Sequence, residues 1–285
     1  MNQGVGYALM SLIAAGILDV VFARYSGKRP LTGAYLFVIG GVVIVGQSAV
    51  LTVMRVPFTF DIHDAAYGAL AGAVVMLANA LLIESLARIN VSLGSTIYRL
   101  NTIAVVIFAV LFLGEALTLP KLAGVLLGVI AVILLYQSGA RGGDNRLLLA
   151  SVWIAVGASL LRAAFGIISK VGLGGGIDPF VFMLYIGVGW TLAAVAYSTV
   201  RPGQGAKLRD VLPYGVVAGT LVCLVASFLL LGLRSGEASI VIPIANMSFV
   251  VALLAAAAFG MERMTRRKLF AVASAALAIT LLTRA

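Results

Sequence analysis

The chain repeats itself. Tyr67-Gly68-x-x-Ala71-Gly72 returns as Tyr214-Gly215-x-x-Ala218-Gly219, 147 residues later. Glu115-x-x-Thr118-x-x-Lys121-Leu122 returns as Glu262-x-x-Thr265-x-x-Lys268-Leu269 at the same offset of 147. Arg55 and Arg201 follow matching apolar stretches 146 residues apart. If each copy crosses a membrane an odd number of times, the second copy must enter from the opposite side. Inverted repeats built around a midplane site are the architecture of many secondary transporters. The repeat alone therefore points to a carrier.

A membrane is what the composition demands. Charged residues make up 11% of the chain and hydrophobic ones 62%. A soluble domain carries about 25% charge. Apolar runs of about 17–25 residues suffice to cross the bilayer core. Ten such runs are expected, at 5–23, 31–54, 65–86, 92–113, 121–139, 147–169, 179–199, 211–232, 238–259 and 267–283. The expected fold is an all-α integral membrane protein of ten transmembrane helices in two inverted five-helix repeats. Residues 1–140 form the first and 146–285 the second, together one transmembrane domain. The connections leave no room for a soluble domain. The start at Met1 lacks the basic residues of a signal peptide. The single cysteine, Cys223, lies inside a span and excludes disulfides within the chain.

A net charge of +10 would suit nucleic acid, but its placement suits a bilayer and no nucleic acid is expected. The connections after spans 1, 3, 5, 7 and 9 hold thirteen Lys and Arg residues. The other face holds five: Arg55, Lys121, Lys170, Arg234 and Arg284. By the positive-inside rule the thirteen face the cytoplasm and both termini face outward.

Helices in lipid gain no hydrophobic drive to associate and pack through small residues. Gly124-x-x-x-Gly128 in span 5 maps onto Ala271-x-x-x-Ala275 in span 10. That stripe serves packing within one bundle or a homodimer through spans 5 and 10, so the chain is expected to be a monomer or such a dimer. Gly40, Gly41, Gly46, Gly187 and Gly189 are further crossing points. No cofactor and no metal site is expected. The run Gly172–Gly176 lacks the lysine of a phosphate loop, and His63 with Asp61 and Asp64 sits in a solvated turn.

Tyr98-Arg99-Leu100-Asn101 leads into an apolar span closed by Leu113-Gly114-Glu115-Ala116-Leu117-Thr118, and Glu237-Ala238-Ser239-Ile240-Val241-Ile242-Pro243-Ile244 leads into one closed by Gly260-Met261-Glu262. A span ending in Gly-Glu, then a Thr and a basic residue opening the next, resembles the EamA type of the drug/metabolite transporter superfamily. The second copy departs from the pattern with Gly-Met-Glu, and Pro243 has no counterpart in the first. The resemblance implies ten helices around a central cavity in a bacterial inner membrane, exporting a small metabolite. Spans 1, 3, 4, 6, 8 and 9 would line that cavity, with spans 5 and 10 as scaffold.

Ionisable side chains inside a span cost about 2.5–3.5 kcal/mol each on insertion scales, so they require a reason. Four qualify: Asp19, Glu84, Arg99 and Arg162. Transferred across the 146 offset, Arg162 falls on Gly16, one helical turn from Asp19. Asp19 and Arg162 are thus expected at similar depth facing one interior. They either grip the two ends of a zwitterion such as an amino acid, or fix the packing through an Asp19–Arg162 or Asp19–Arg99 bridge. Glu84 pairs with Arg88 one turn on, or with Arg99. Asn79, Tyr98, Asn101 and Asn246 complete the candidate substrate-binding set, with Gln47 and Ser248 as further polar neighbours. Pro243 breaks a backbone bond and kinks span 9.

Asp19 also invites comparison with small multidrug resistance proteins, whose first helix carries a carboxylate shared between protons and cationic drugs. Asp19 and Glu84 are the proton-coupling candidates under that alternative. No catalytic motif appears, so no enzyme is expected.

Overall fold

A computed structural model describes residues 3–26, 32–86, 97–135, 145–201, 208–258 and 264–285. The described residues are helical, with no strand among them. In chain order the helices are α1 (Gln3–Ser26), α2 (Thr32–Val53), α3 (Ile62–Leu86), α4 (Asn101–Leu113), α5 (Leu119–Leu135), α6 (Asn145–Gly174), α7 (Pro179–Val200), α8 (Leu208–Ser235), α9 (Ala238–Asn246), α10 (Phe249–Ala258) and α11 (Arg266–Leu282). Among the described residues seven stretches are long and apolar enough to cross a membrane, the last being Ala238–Ala255 through α9 and α10. Ile97–Leu113 and Leu119–Leu135 are shorter apolar helices.

The solvent this surface suits is lipid. Met10, Ile13 and Ile17 are exposed on α1, Leu126, Ile130 and Ile133 on α5, and Leu269, Phe270 and Leu277 on α11. Polar side chains are turned inward, with Ser11, Gln47, Asn101 and Lys121 all buried.

The large helix contacts all run between residues 3–135 and residues 145–282. Helix α1 packs on α8, α9 and α10; α2 on α7 and α8; α3 on α6 and α7; α4 on α6 and α9; and α5 on α11. The repeated glycine motif makes two of these crossings. A Cβ on Gly72 would overlap the Ile186 carbonyl oxygen, and one on Gly68 would overlap the Tyr185 side chain. On Gly219 it would sit 3.1 Å from the Ile39 carbonyl oxygen, and on Gly215 it would sit 2.9 Å from Val38 Cβ. The two pairs of contacts interchange at the offset of 147. Between the glycines, Ala71 and Ala218 are fully buried.

The second repeated motif is a helix start. Thr118 Oγ1 accepts from the backbone N–H of Lys121 at 3.4 Å, and Thr265 Oγ1 accepts from that of Lys268 at 3.4 Å. Threonine there satisfies one of the donors that a helix N-terminus leaves free. Before it, Gly114 ends α4 with a φ of 66°, in the left-handed region that only glycine enters at no steric cost. Glu262, the second copy's acid, lies outside the described residues.

Small residues on α5 and α11 are used within one chain. A Cβ on Gly124 would lie 2.7 Å from Leu282 Cγ and 3.2 Å from the Ala278 carbonyl oxygen, and Ala271 and Ala275 are fully buried. Gly128 faces Met247 Cε at 2.6 Å instead. Gly40 and Gly189 are tight crossings, where a Cβ would overlap Thr191 and Ala69 respectively. Gly41 is not a crossing, since a Cβ there would meet nothing within 4 Å, and Gly46 makes only ordinary contact with Cys223 Sγ at 3.7 Å. Gly41 lies on an open part of α2, which a run of neighbouring glycines does not reveal.

Two expectations about charge need correction. Lys121 and Lys170 do not reach outward to headgroups. Lys121 lies within α5 and is buried, while α6 runs on to Gly174 and so contains Lys170. Both reach polar partners at the end of the bundle where α4, α6 and α8 finish. Lys121 Nζ donates to the Ala116 carbonyl at 2.7 Å and pairs with Glu237. Lys170 Nζ donates to the carbonyls of Leu233 and Gly236 at 2.6 and 2.7 Å, closing the C-terminus of α8. Glu115 accepts from the N–H of Ala238 at 2.7 Å, from that of Ser239 at 2.9 Å, and from the Ser239 hydroxyl. It thereby caps α9, because Glu237 at the N-cap position makes no side-chain cap of its own.

Candidate functional site

The site begins with two helix interruptions. Leu100 N–H donates to the Ile97 carbonyl and Ile103 N–H to that of Leu100, at 3.1 and 3.0 Å. Met247 N–H donates to the Ile244 carbonyl and Val250 N–H to that of Met247, both at 3.0 Å. These i→i−3 bonds tighten the chain at Leu100 and at Met247, and the two places are 147 residues apart. Pro243 is buried inside α9, four residues before the second break rather than at it.

Each break leaves a carbonyl without a helical partner, and Asn246 contributes the one turned inward. Arg99 takes it: its NH1 donates to the Asn246 carbonyl at 2.9 Å and to the Ser248 hydroxyl at 3.0 Å. The NH2 of Arg99 pairs with Asp19 Oδ2, which also accepts from Ser248 Oγ at 3.1 Å. The Arg99 guanidinium carbon lies 5.4 Å from the centre of the Phe249 ring. Beside this knot, Asn246 Nδ2 donates to Asn101 Oδ1 at 2.6 Å and to Thr102 Oγ1 at 3.1 Å.

A cavity of about 150 Å³ opens alongside. All seven residues singled out as substrate-binding candidates line it: Asp19, Asn79, Tyr98, Arg99, Asn101, Arg162 and Asn246. Its remaining wall is largely apolar, with Phe165, Met183, Ile186, Trp190, Leu229 and Ile242 among the lining side chains. Besides α1, α3, α4, α6, α8 and α9, the wall includes Val43 of α2 and four residues of α7, so those two helices are not merely outer supports. Helices α5 and α11 contribute nothing to it.

Arg162 stands opposite in character to Arg99. It is partly buried in the middle of α6, its guanidinium carbon 5.9 Å from the ring centres of both Tyr98 and Phe165. Among the described residues no carboxylate lies within the 4.0 Å of an ion pair with it. The Tyr98 hydroxyl is buried and has no hydrogen-bond partner. Asn79 Nδ2 is used on the Val75 carbonyl of its own helix at 2.7 Å.

Other candidates are drawn elsewhere. Glu84 is not in the cavity wall: it accepts from the Tyr197 hydroxyl at 2.7 Å and lies 3.7 Å from Arg201 Nε, both on the α7 side. The expected pairing with Arg99 is not made, because Arg99 is taken by Asp19; Arg88, the other expected partner, lies outside the described residues. Gln47 is buried between α2 and α8, where Cys223 Sγ and Ser227 Oγ each approach its Oε1 at 3.5 Å. Among the described residues no group of three metal-ligating side chains comes together.

Comparison with known proteins relates the first part of the chain to a family. Residues 2–137 match the EamA-like transporter family, part of the drug/metabolite transporter superfamily. Its members are membrane transporters of small molecules rather than enzymes. A solved crystal structure of a protein aligns with a TM-score of 0.78 over 99% of this chain and 98% of the other, at 15% identity. At that identity the likeness shows the fold alone. No curated protein matches the sequence. The chain is thus a multi-pass membrane protein whose first half carries an EamA-like transporter module.

Proposed function

We propose that this protein is a secondary transporter that exports a small polar metabolite, such as an amino acid, from the cytoplasm by alternating access. The carrying observation is the cavity walled by helices from both halves, with Asp19, Arg99 and Arg162 on its surface at membrane depth. Such charges are costly in a bilayer and mark substrate or ion pathways. The two halves, 1–140 and 146–285, act as inverted five-helix repeats that rock about this cavity. Support comes from contacts that interchange at the offset of 147: Gly72 on Ile186 with Gly219 on Ile39, and the tightened turn at Leu100 with that at Met247. Discontinuous helices at a midplane site are a recurrent feature of inverted-repeat carriers.

Seven of the cavity's polar groups, from Asp19 to Asn246, are the substrate-binding set. The polar cluster of Glu115, Lys121, Lys170 and Glu237 holds together the bundle end opposite the one richer in Lys and Arg. In a bacterial inner membrane the positive-inside rule puts that cluster and both termini on the outer side. The cationic-drug alternative is the weaker reading, because Asp19 already has a cationic partner in Arg99.

The test is counterflow in proteoliposomes, scanning amino acids, nucleosides, sugars and quaternary cations. Saturable uptake that accelerates with the same solute on the far side is expected. Flux that rises linearly without saturation would reject a carrier in favour of a channel.

A further inference from the structure

We infer that Arg162 and Tyr98 form a subsite for a carboxylate headgroup, and that the cargo is a small monocarboxylate with an apolar body. The inference rests on the transporter reading of the same cavity and goes further by fixing the charge and shape of what the cavity holds.

Charge is the first ground. Asp19 and Arg99 neutralise one another, which leaves Arg162 as the one unpaired charge among the described residues that line the cavity. A guanidinium sits about 18 Å from the C-terminal end of α6, twelve residues before Gly174. At that depth an uncompensated charge is expensive. A solute of one negative charge cancels it. A phosphate monoester, carrying ≈ −1.5 to −2, would overshoot, since the other cation is already committed to Asp19. A cationic solute would double the imbalance.

Hydrogen bonding is the second. Arg162 can only donate, and the Tyr98 hydroxyl beside it is buried with no partner. The phenol oxygen can accept from the guanidinium, but neither group has an acceptor for its remaining protons. A carboxylate supplies two acceptor oxygens, one for the planar guanidinium fork and one for the phenol. Cation–π contact of Arg162 with the Tyr98 and Phe165 rings helps to hold that fork in place.

Shape is the third. Phe165, Met183, Ile186, Trp190 and Ile242 supply much of the remaining wall, and the Asp19–Arg99 and Asn246–Asn101 groups that share it are already engaged with each other, so the body beyond the headgroup is apolar. A cavity of about 150 Å³ is small; one of comparable volume elsewhere takes a benzene-sized guest.

Trp190 provides the readout. It lines the cavity, and the chain has only one other tryptophan, Trp153, which is exposed. In full-length Trp153→Phe protein in nanodiscs, Trp190 fluorescence reports binding directly. The probes are four relatives of one body: 4-methylpentanoate, its primary amide, leucine and leucinamide. The expectation is that 4-methylpentanoate and leucine bind saturably, each about 10–100-fold tighter than its own amide, the worth of a charge-assisted pair. Arg162→Leu abolishes that preference, Arg162→Lys keeps part of it, and Tyr98→Phe weakens the acids about 3–10-fold. Thermal unfolding checks each variant's fold, and the nearly isosteric Tyr98→Phe carries the test if Arg162→Leu does not fold.

Amides binding as tightly as acids would overturn the subsite. So would acid binding that survives Arg162→Leu or Tyr98→Phe unchanged, or no binding of either acid in the millimolar range. Acid-selective binding without counterflow would instead sink the transporter reading and leave the subsite standing.

Discussion

Two guanidinium groups face the same cavity from helices of different halves. Around Arg99 the protein has gathered a carboxylate, a hydroxyl and the carbonyl freed by a broken helix, so both terminal nitrogens of the fork are answered from within the chain. Around Arg162 it offers two aromatic faces and a phenol that can donate but has nothing to donate to. The first arrangement spends a charge on holding α1, α4 and the α9–α10 junction together. The second keeps a charge unspent at membrane depth. A buried ion exacts a desolvation cost whether or not it is useful. Where the chain has not paired one, the structural explanation fails and a ligand becomes the simplest reason for its presence.

The strongest challenge to this contrast is to remove each of the two residues in turn. Arg99→Leu leaves Asp19 without its counter-ion and the Asn246 carbonyl without a donor. Removing one member of a buried ion pair costs about 3–5 kcal/mol. Asp19 keeps 34% of its side chain exposed, so the lower end of that range applies. The thermal midpoint in detergent should fall further than for Arg162→Leu, Glu115→Ala or Glu84→Gln. Asp19→Leu combined with Arg99→Leu should recover much of the loss, because no lone charge remains. Arg162→Leu, by contrast, should melt near the wild-type temperature. If Arg162→Leu proved the more damaging to stability, the division into spent and unspent charges would be reversed.

A smaller effect is expected at the far end of the bundle, where the charges are again spent. Glu115→Ala removes the three hydrogen bonds that cap α9 from the opposite half. Loss of a capping side chain costs about 0.5–2 kcal/mol. Hydrogen exchange should accelerate at the amides of Ala238 and Ser239 while those of α1 stay protected. Unchanged exchange at those two amides would show that Glu115 is not their cap.

Much of the cavity is readable in the sequence because membrane depth makes polar residues conspicuous. Asp19, Arg99 and Arg162 interrupt apolar runs, and the repeat offset puts Asp19 and Arg162 on one interior. The offset also reaches the packing: Gly68, Gly72, Gly215 and Gly219, conspicuous first as a repeated pattern, prove to be close crossings of α3 on α7 and of α8 on α2. Other features leave no such mark. Lys121 and Lys170 sit where apolar runs give way to polar ones, and hydropathy does not tell a lysine reaching for headgroups from one reaching inward to carbonyls. The break at Met247 contains neither glycine nor proline; Pro243 misleads by four residues. Which neighbour Asp19 chooses depends on the inward turn of the Asn246 carbonyl, a consequence of that break and invisible before it.

The smallest effect concerns the boundary of the cavity. Glu84 is a candidate for proton coupling on the strength of its depth in the membrane, yet it lies off the cavity wall, tied to Tyr197 and near Arg201. Glu84→Gln keeps a carbonyl oxygen for the Tyr197 hydroxyl and loses only a loose, half-exposed ion pair, a change of about 0–1 kcal/mol. Counterflow should stay within about twofold of wild type, a shift of less than about 0.5 kcal/mol, with an unaltered profile from acid to neutral pH. A pH profile displaced by this one substitution would mean that a carboxylate with no access to the cavity governs transport. The distinction between cavity charges and packing charges would then no longer predict which residues matter.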